Sequence, residues 1–348
     1  MNNITLKKLA DELNMSPSTV SRALRDSHEI SQETKDRVKA LAEKLDFQPN
    51  PHASSLRKNK SRTIAVVIPE IQNNFFSQVM NGVEEVARQK GYHVLIYLTH
   101  EDHKREEDIL HLLRSGRVEG VMISVSNTTK NFQHIEACQK ADLPLLFFDR
   151  VCENMEVPCV TTDDAGAAFK ATEHLIKSGC RNIVFLSMAS SLSISCGRKT
   201  GYLKALSKYG FANKENIIEC GPDDETNRRK IGQVLLSKDR PDGIFAAVEK
   251  FAVNTYEVCR ELDIKVPQHL KVISFSNLSA AALFNPPLST IVQPAYDIGK
   301  ESSAILFKII DKKKLLSSEK KIVIPSHLVI RESTTGKQYA KPPVLLKQ

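Results

Sequence analysis

From residue 63 onward the chain alternates short, continuously apolar runs with longer amphipathic stretches, and this alternation restricts the fold more than any other feature. The apolar runs fall at 64–68, 94–98, 121–124, 145–148, 183–186, 244–247, 272–275 and 322–324. Helical patterns fill the gaps at 75–89, 103–115, 164–178, 198–209, 225–237, 250–262 and 295–313. Strands that are apolar on both faces and joined by helices belong to parallel sheets covered on both sides. Roughly 270 residues of this pattern is too much for one such sheet, so two doubly wound subdomains are expected. Sheets of this kind bind ligands beyond the carboxyl ends of their strands. Between two of them, the natural site is the interdomain cleft. No internal repeat is evident.

Residues 1–48 read differently, with no strand-like run. Thr5 can cap a first helix with the stripe Leu6, Leu9, Ala10 and Leu13. Ser16-Pro17 is a helix start, a hydroxyl N-cap followed by proline at the first helical position. The second helix, 17–24, is expected to bury Val20, Ala23 and Leu24. Ser31 can cap a third, with Val38, Leu41, Ala42 and Leu45 inward. Residues 49–61 are polar, basic and proline-led. They read either as a flexible linker or as one or two helical turns from Pro51 to Leu56, which need a partner to stay folded.

Composition adds exclusions. The 348 residues are 41% hydrophobic and 26% charged, as in an ordinary globular chain. No apolar run approaches the ~20 residues of a membrane helix, and the first residues show no apolar signal core, so a cytoplasmic protein is expected. The 7 cysteines are irregularly spaced without a Cys-x-x-Cys, which indicates neither a zinc site nor a disulfide framework. The net charge is +8, but unevenly placed: residues 1–60 carry 11 basic and 8 acidic groups, and residues 311–348 carry 9 and 3. The middle of the chain is close to neutral.

Two helices joined by Asn14-Met15-Ser16 match a helix-turn-helix, although a plain helical hairpin has the same outline. The solvent face of the second helix carries Pro17, Ser18, Thr19, Ser21, Arg22 and Arg25. Hydroxyls bond phosphates, and arginine can bond guanine O6 and N7 together. With Thr5–Ala10, Ser16–Leu24, Ser31–Val38 and Phe47–Asn50, this segment resembles the headpiece of the LacI/GalR family of bacterial transcription regulators. The resemblance continues through 63–69, Phe147-Phe148-Asp149-Arg150, Arg198-Lys199-Thr200-Gly201-Tyr202, 286–291 and Arg331-Glu332-Ser333-Thr334, in order and over nearly the whole chain.

The resemblance implies an all-α three-helix headpiece with a helix-turn-helix (1–48), a hinge helix or linker (49–61), an α/β periplasmic-binding-protein-like core of two doubly wound parallel-sheet subdomains (62–335), and a tail (336–348). The core is expected to divide into 62–161 plus 291–320 and 162–290 plus 321–335. It implies that Pro17, Ser18 and Arg22 face base edges, that Ser16, Thr19, Ser21, Ser31 and Thr34 anchor phosphates, and that Thr5 and Arg57 join the DNA contacts. Leu56 would wedge between base steps of the minor groove, with Asn50 and Ala53 along the groove. The expected partners are operator DNA of near-palindromic sequence, a second copy of the chain and a sugar-like effector, and the expected role is repression. The tail is too short and proline-broken for a heptad seam, so a dimer is expected rather than a tetramer. No cofactor or metal is expected.

For the effector, Asp149 and Arg198 match family ligand positions, and Asn73-Asn74-Phe75-Phe76 resembles the family's Asn-Pro-Phe-Phe loop, with Asn74 in place of proline, and could supply an amide and an aromatic wall for a sugar ring. Two anchors depart from the family: Val248-Glu249 stands where Asn-Asp is usual, and Ser274-Phe275-Ser276-Asn277 where Gly-Phe-Asp-Asp is usual. Glu249 and Ser276 are carried as candidates; the alternatives are an unusual sugar, a phosphorylated or acidic metabolite, a less polar ligand, lost small-molecule control, or Glu249 or Asn277 swinging in to replace the missing groups. An enzyme reading finds no Gly-x-Gly-x-x-Gly, Walker loop, Gly-x-Ser-x-Gly or His-Glu-x-x-His, and the histidines show no ligand spacing. Asp163-Asp164 precedes a helix and reads as a cap. A transport-type sugar-binding protein would have no use for residues 1–60.

Overall fold

The computed structural model describes residues 5–47, 61–188, 192–212 and 214–335. Asn50, Ala53, Leu56, Arg57 and the 336–348 tail lie outside the described residues. The chain separates into two compact units, Met1–Ser61 and Arg62–Gln348.

In the first unit, α1 (Leu6–Glu12), α2 (Pro17–Leu24) and α3 (Gln32–Lys44) enclose Leu9, Ala10, Val20, Ala23, Val38 and Ala42. Leu24, expected inside, is only half-buried and packs at the edge of this core. Thr5, Ser16 and Ser31 cap the three helices, each hydroxyl accepting from the backbone N–H three residues on. All three helices stop in the same way. Asn14, Asp26 and Asp46 take left-handed φ of 53°, 58° and 48°. The next residue then donates to the carbonyl five back: Met15 to Ala10, Ser27 to Arg22 and Phe47 to Ala42. This satisfies end carbonyls with short polar residues where glycine is more usual.

The second unit contains β1 (Thr63–Ile68), α4 (Asn74–Lys90), β2 (His93–Leu98), α5 (His103–Leu113), β3 (Gly120–Ile123), α6 (Gln133–Lys140), β4 (Leu145–Phe148), β5 (Cys159–Thr162), α7 (Asp164–Lys177), β6 (Ile183–Ser187), α8 (Ser193–Lys208), β7 (Ile217–Glu219) and α9 (Asp224–Leu235). It continues with β8 (Gly243–Ala246), α10 (Glu249–Glu261), β9 (Lys271–Phe275), a 3₁₀ turn (Ser279–Leu283), β10 (Ser289–Val292), α11 (Ala295–Ile310), α12 (Ser317–Lys320), β11 (Lys321–Ile324), β12 (His327–Val329) and α13 (Glu332–Thr335).

Two six-stranded sheets result, ordered β11-β5-β4-β3-β1-β2 and β12-β10-β9-β8-β6-β7. All pairings are parallel except β10 with β12, which is antiparallel. The chain passes between the sheets near 163, 293–294 and 325–326, so each sheet is built from discontinuous segments.

The expected partition of the core is corrected at two places. β11, placed by sequence with the second subdomain, pairs with β5 in the first sheet. β10, placed partly in the first, pairs with β9 in the second. Strand membership depends on which edge a returning segment meets, and nothing local in 321–324 encodes that edge. The sequence also passed over β5, β7, β10, β12 and α6. These strands are short, and β10 buries Ser289 and Thr290 alongside a single fully buried aliphatic side chain, Ile291. They stay inside because they are bonded: the Ser289 hydroxyl donates to the Arg331 carbonyl at 3.0 Å, and Arg331 Nη1 donates to the Thr290 hydroxyl at 2.8 Å. The helix expected from 198 begins a turn earlier, at Ser193.

The covering helices pack closely where glycine permits it. A methyl group on Gly201 of α8 would lie 2.1 Å from the Ala165 carbonyl oxygen of α7. Tyr202, next to it, is fully buried and donates to the Ile183 carbonyl at 2.8 Å.

Candidate functional site

The headpiece presents Pro17, Ser18 and Arg22 on the exposed face of α2, with Ser16 exposed at its start and Thr19 and Ser21 half-buried beside them. Ser16 is more than a cap. Its oxygen accepts from Thr19 N–H at 3.1 Å and lies 2.7 Å from the Ser18 hydroxyl and 2.9 Å from that of Thr19. Three hydroxyls are thus clustered at a helix N-terminus, where backbone N–H groups and the helix dipole favour a phosphate oxygen. At the start of α3 the Ser31 and Thr34 hydroxyls form a similar pair, 2.9 Å apart. Thr5 is exposed at the start of α1. One feature was not legible beforehand: Arg22 Nη1 lies 3.0 Å from Glu29 Oε2, with both side chains more than half exposed. An exposed pair of this kind contributes at most about 1 kcal/mol.

In the core, all six effector candidates converge. Asn73, Phe75, Asp149, Arg198, Glu249 and Ser276 line one cavity at the carboxyl ends of the strands, together with Phe76, Arg150, Ile194, Val248, Phe275, Asn277 and Gln293. Ile194 and Gln293 carried no sequence signal. Gln293 directly follows β10, a strand the apolar pattern did not reveal.

The polar residues of the wall are held by definite partners. Asn73 caps α4, its carbonyl oxygen accepting from Phe75 N–H at 2.9 Å, which leaves its amide N–H2 as a donor. Arg198 is 2% exposed. Its Nε donates to Asp164 Oδ1 at 2.7 Å, its Nη1 to the Ala247 carbonyl at 2.6 Å, and its guanidinium lies 3.8 Å from the Phe275 ring centre. Asp163, at the start of α7, caps that helix by accepting from Gly166 N–H, whereas Asp164 beside it is the buried counter-ion of Arg198.

Asp149 takes a left-handed φ of 59° just after β4. Burial pushes its carboxyl up to about 6, with Arg150 and Arg198 pulling the other way. Arg150 Nη1 donates to both oxygens of Glu101 at 2.7 and 2.9 Å. Its buried Nε has no hydrogen-bond partner among the described residues and lies 3.9 Å from Asp149.

Across the cleft, Asn74 Nδ2 of the first lobe donates to Glu249 Oε1 at 3.2 Å, and the Ser276 hydroxyl donates to Glu249 Oε2 at 2.9 Å. Asn277 Nδ2 donates to Gln78 Oε1 at 3.0 Å and to the Gln293 carbonyl at 2.7 Å. Glu249 and Asn277, which replace the usual family residues, therefore latch one lobe to the other. The cavity they enclose has about 40 Å³, room for about three waters and not for a sugar ring.

Three helices with a hydroxyl-rich second helix, joined to a two-lobed α/β core with a polar interlobe cavity, define a helix-turn-helix regulator with a ligand-binding core. Residues 61–332 match the family described as periplasmic binding proteins and sugar binding domain of LacI family, and residues 5–50 match bacterial regulatory proteins, lacI family. The chain belongs to the LacI family of transcription regulators. It is 28% identical to catabolite control protein A of Priestia megaterium over 95% of this chain and 99% of that protein. It is 31% identical to the HTH-type transcriptional regulator RegA of Clostridium acetobutylicum, over 88% and 93%. The crystal structure of the lac repressor dimer bound to operator and an anti-inducer superposes with a TM-score of 0.84 at 22% identity, covering 96% of this chain and 99% of that one. No helix among the described residues is long and apolar enough to cross a membrane.

Proposed function

We propose that this regulator represses transcription by binding a near-palindromic operator as a homodimer, under the control of a neutral, polyhydroxylated small molecule held between the lobes of the core. The observation that carries the ligand class is the pairing of charges in the cavity wall. Arg150 pairs with Glu101 and lies 3.9 Å from Asp149, and Arg198 pairs with Asp164, so two guanidiniums face the four carboxylates of Glu101, Asp149, Asp164 and Glu249 and the wall is negative on balance. Such a wall repels a phosphorylated or acidic ligand. Asp149 accepts hydrogen bonds, whereas Asn73 and the Nε of Arg150 donate them. Hydroxyl groups do both, so a sugar or sugar derivative satisfies both sets.

Because the latched cavity is too small for a sugar ring, the ligand enters only when Glu249 and Asn277 release the first lobe. An effector then shifts the chain between open and latched states by its different affinity for the two. The dimer reading rests on β2, the outer strand of the first sheet. It exposes Leu95 and Ile96 by 41% and 42%, where a finished parallel sheet would be covered. Pro17, Ser18 and Arg22 read bases, and the hydroxyls of Ser16, Thr19, Ser21, Ser31 and Thr34 fix the register on phosphates.

The test pairs selection of operator sequences from a random pool with calorimetric titration of neutral, amino, acidic and phosphorylated sugars. A palindromic consensus and binding confined to uncharged sugars support the reading. Tight binding of a phosphorylated sugar refutes the charge argument.

A further inference from the structure

His103 and Glu106 stand one turn apart on α5, and His134 stands at the start of α6. In sequence the two histidines are far apart, and only the packing of α6 against α5 brings them together. One ligand atom of each of the three residues lies within 4.8 Å of the other two. Glu106 is completely buried. Its carboxylate accepts from Ser126 N–H at 2.7 Å and from the Thr129 hydroxyl at 2.9 Å, and lies 2.8 Å from His134 Nε2. The His103 and His134 rings meet edge to face, 4.9 Å between centres. His134 is 8% exposed. The Nδ1 atoms of both rings are buried and have no hydrogen-bond partner among the described residues.

A carboxylate buried only to clasp a loop would need no second imidazole, and two buried ring nitrogens without partners are costly in a finished structure. None of the three residues lines the effector cavity. We propose that His103, Glu106 and His134 form a binding site for a divalent transition-metal ion of the zinc class in the first lobe of the core.

Two imidazoles and a carboxylate suit zinc, cobalt or nickel and not magnesium or calcium, which take oxygen donors. Three protein ligands leave a fourth position for water. With metal–ligand bonds of about 2.0–2.2 Å, tetrahedral donors stand about 3.3–3.5 Å apart, so His103 must draw in slightly while the Glu106 carboxylate and His134 Nε2, 2.8 Å apart, part slightly to admit the ion. His103 is half-buried and has the room to do so. The Ser126 and Thr129 bonds to Glu106 orient the carboxylate, as outer partners do for metal ligands.

The same loop also touches the effector wall. Asn127 N–H donates to Glu101 Oε2 at 2.7 Å, and Glu101 holds Arg150. An ion that ties the ends of α5 and α6 together therefore braces the loop behind Arg150.

The experiment uses the full-length chain, stripped with a chelator and dialysed. Cobalt is titrated and followed by its visible ligand-field bands, and zinc is titrated in competition with a chromophoric chelator. The expected result is one ion per chain with tetrahedral cobalt bands. His103→Gln and His134→Gln are each expected to weaken binding at least about tenfold, with unchanged circular dichroism. His103→Gln is the decisive variant, because it leaves the clasp of Glu106 with Ser126, Thr129 and His134 in place. No uptake at micromolar zinc overturns the proposal, and so does equal affinity in both variants, which would put the ion elsewhere.

Discussion

Replacing Arg198 by methionine tests whether the cavity wall is held by a buried ion pair. The guanidinium is 2% exposed and lies 2.7 Å from a carboxylate whose own side chain is only 10% exposed. Methionine keeps most of the volume and the contact with Phe275, but it strands Asp164 and frees the Ala247 carbonyl. Removing one partner of a buried pair costs about 3–5 kcal/mol, a large part of the ~5–15 kcal/mol that holds a domain. With a urea dependence of about 2–3 kcal/mol per molar, the core midpoint should fall by roughly 1–2.5 M.

The loss should depend on pH. Burial already pushes the Asp164 carboxyl up, with Arg198 opposing. Without the arginine it rises further above its unfolded value. A raised folded pKa gives stability that is present in acid and lost as pH rises through that value, so the deficit should be smaller near about pH 5 than near about pH 8. Asp164→Asn in the same chain should recover much of the loss, since it removes the stranded charge. A single-variant cost under about 1 kcal/mol, or a double variant worse than the single, would refute the account. The double variant also isolates function: undiminished effector binding in it would show that Arg198 is a strut and not a ligand contact.

Asp149→Asn should stabilise the core at neutral pH while abolishing effector binding. A carboxyl raised to about 6 from an unfolded value of 3.8 costs ~3 kcal/mol when ionised. That advantage should be absent below about pH 4, grow between about pH 4 and 6, and be complete above about 6, which denaturation at several pH values will show. Arg22→Ala should cost ~1–3 kcal/mol of operator affinity and relax specificity at one base pair in binding-site selection, whereas a uniform loss on all sequences would mark a phosphate contact. Glu29→Gln should tighten the same complex by less than about 1 kcal/mol, because an exposed ion pair restrains Arg22 only weakly. Gly201→Ala forces a methyl onto the α7 backbone and should cost about 1–3 kcal/mol in thermal unfolding; an unchanged midpoint would mean that the helices part freely.

By itself the sequence determined what is local. Hydroxyl caps at Thr5, Ser16 and Ser31 and the apolar stripes behind them set the headpiece helices, because a cap and its helix lie within four residues of each other. The continuous apolar runs set the central strands, because burial on both faces leaves its mark in the run itself. The cavity residues were legible only through resemblance to the family, since Asp149, Arg198 and Glu249 lie on segments that nothing local brings together.

Tertiary structure decided the rest. It placed β11 in the sheet opposite to the one expected and kept the whole of β10 in the second sheet, because a returning strand joins whichever edge offers unpaired hydrogen-bonding groups. It turned Asp164, one of two adjacent carboxylates before a helix, into the counter-ion of Arg198, since only burial separates that role from capping. It converted the two departures from the family pattern into a latch, with Glu249 and Asn277 reaching across the cleft to Asn74 and Gln78. It also gathered two scattered histidines around a buried glutamate. Helix propensity and apolar pattern act over a few residues and can be read along the chain, whereas desolvation and the pairing of charges depend on which distant segments the fold brings to within a few ångströms.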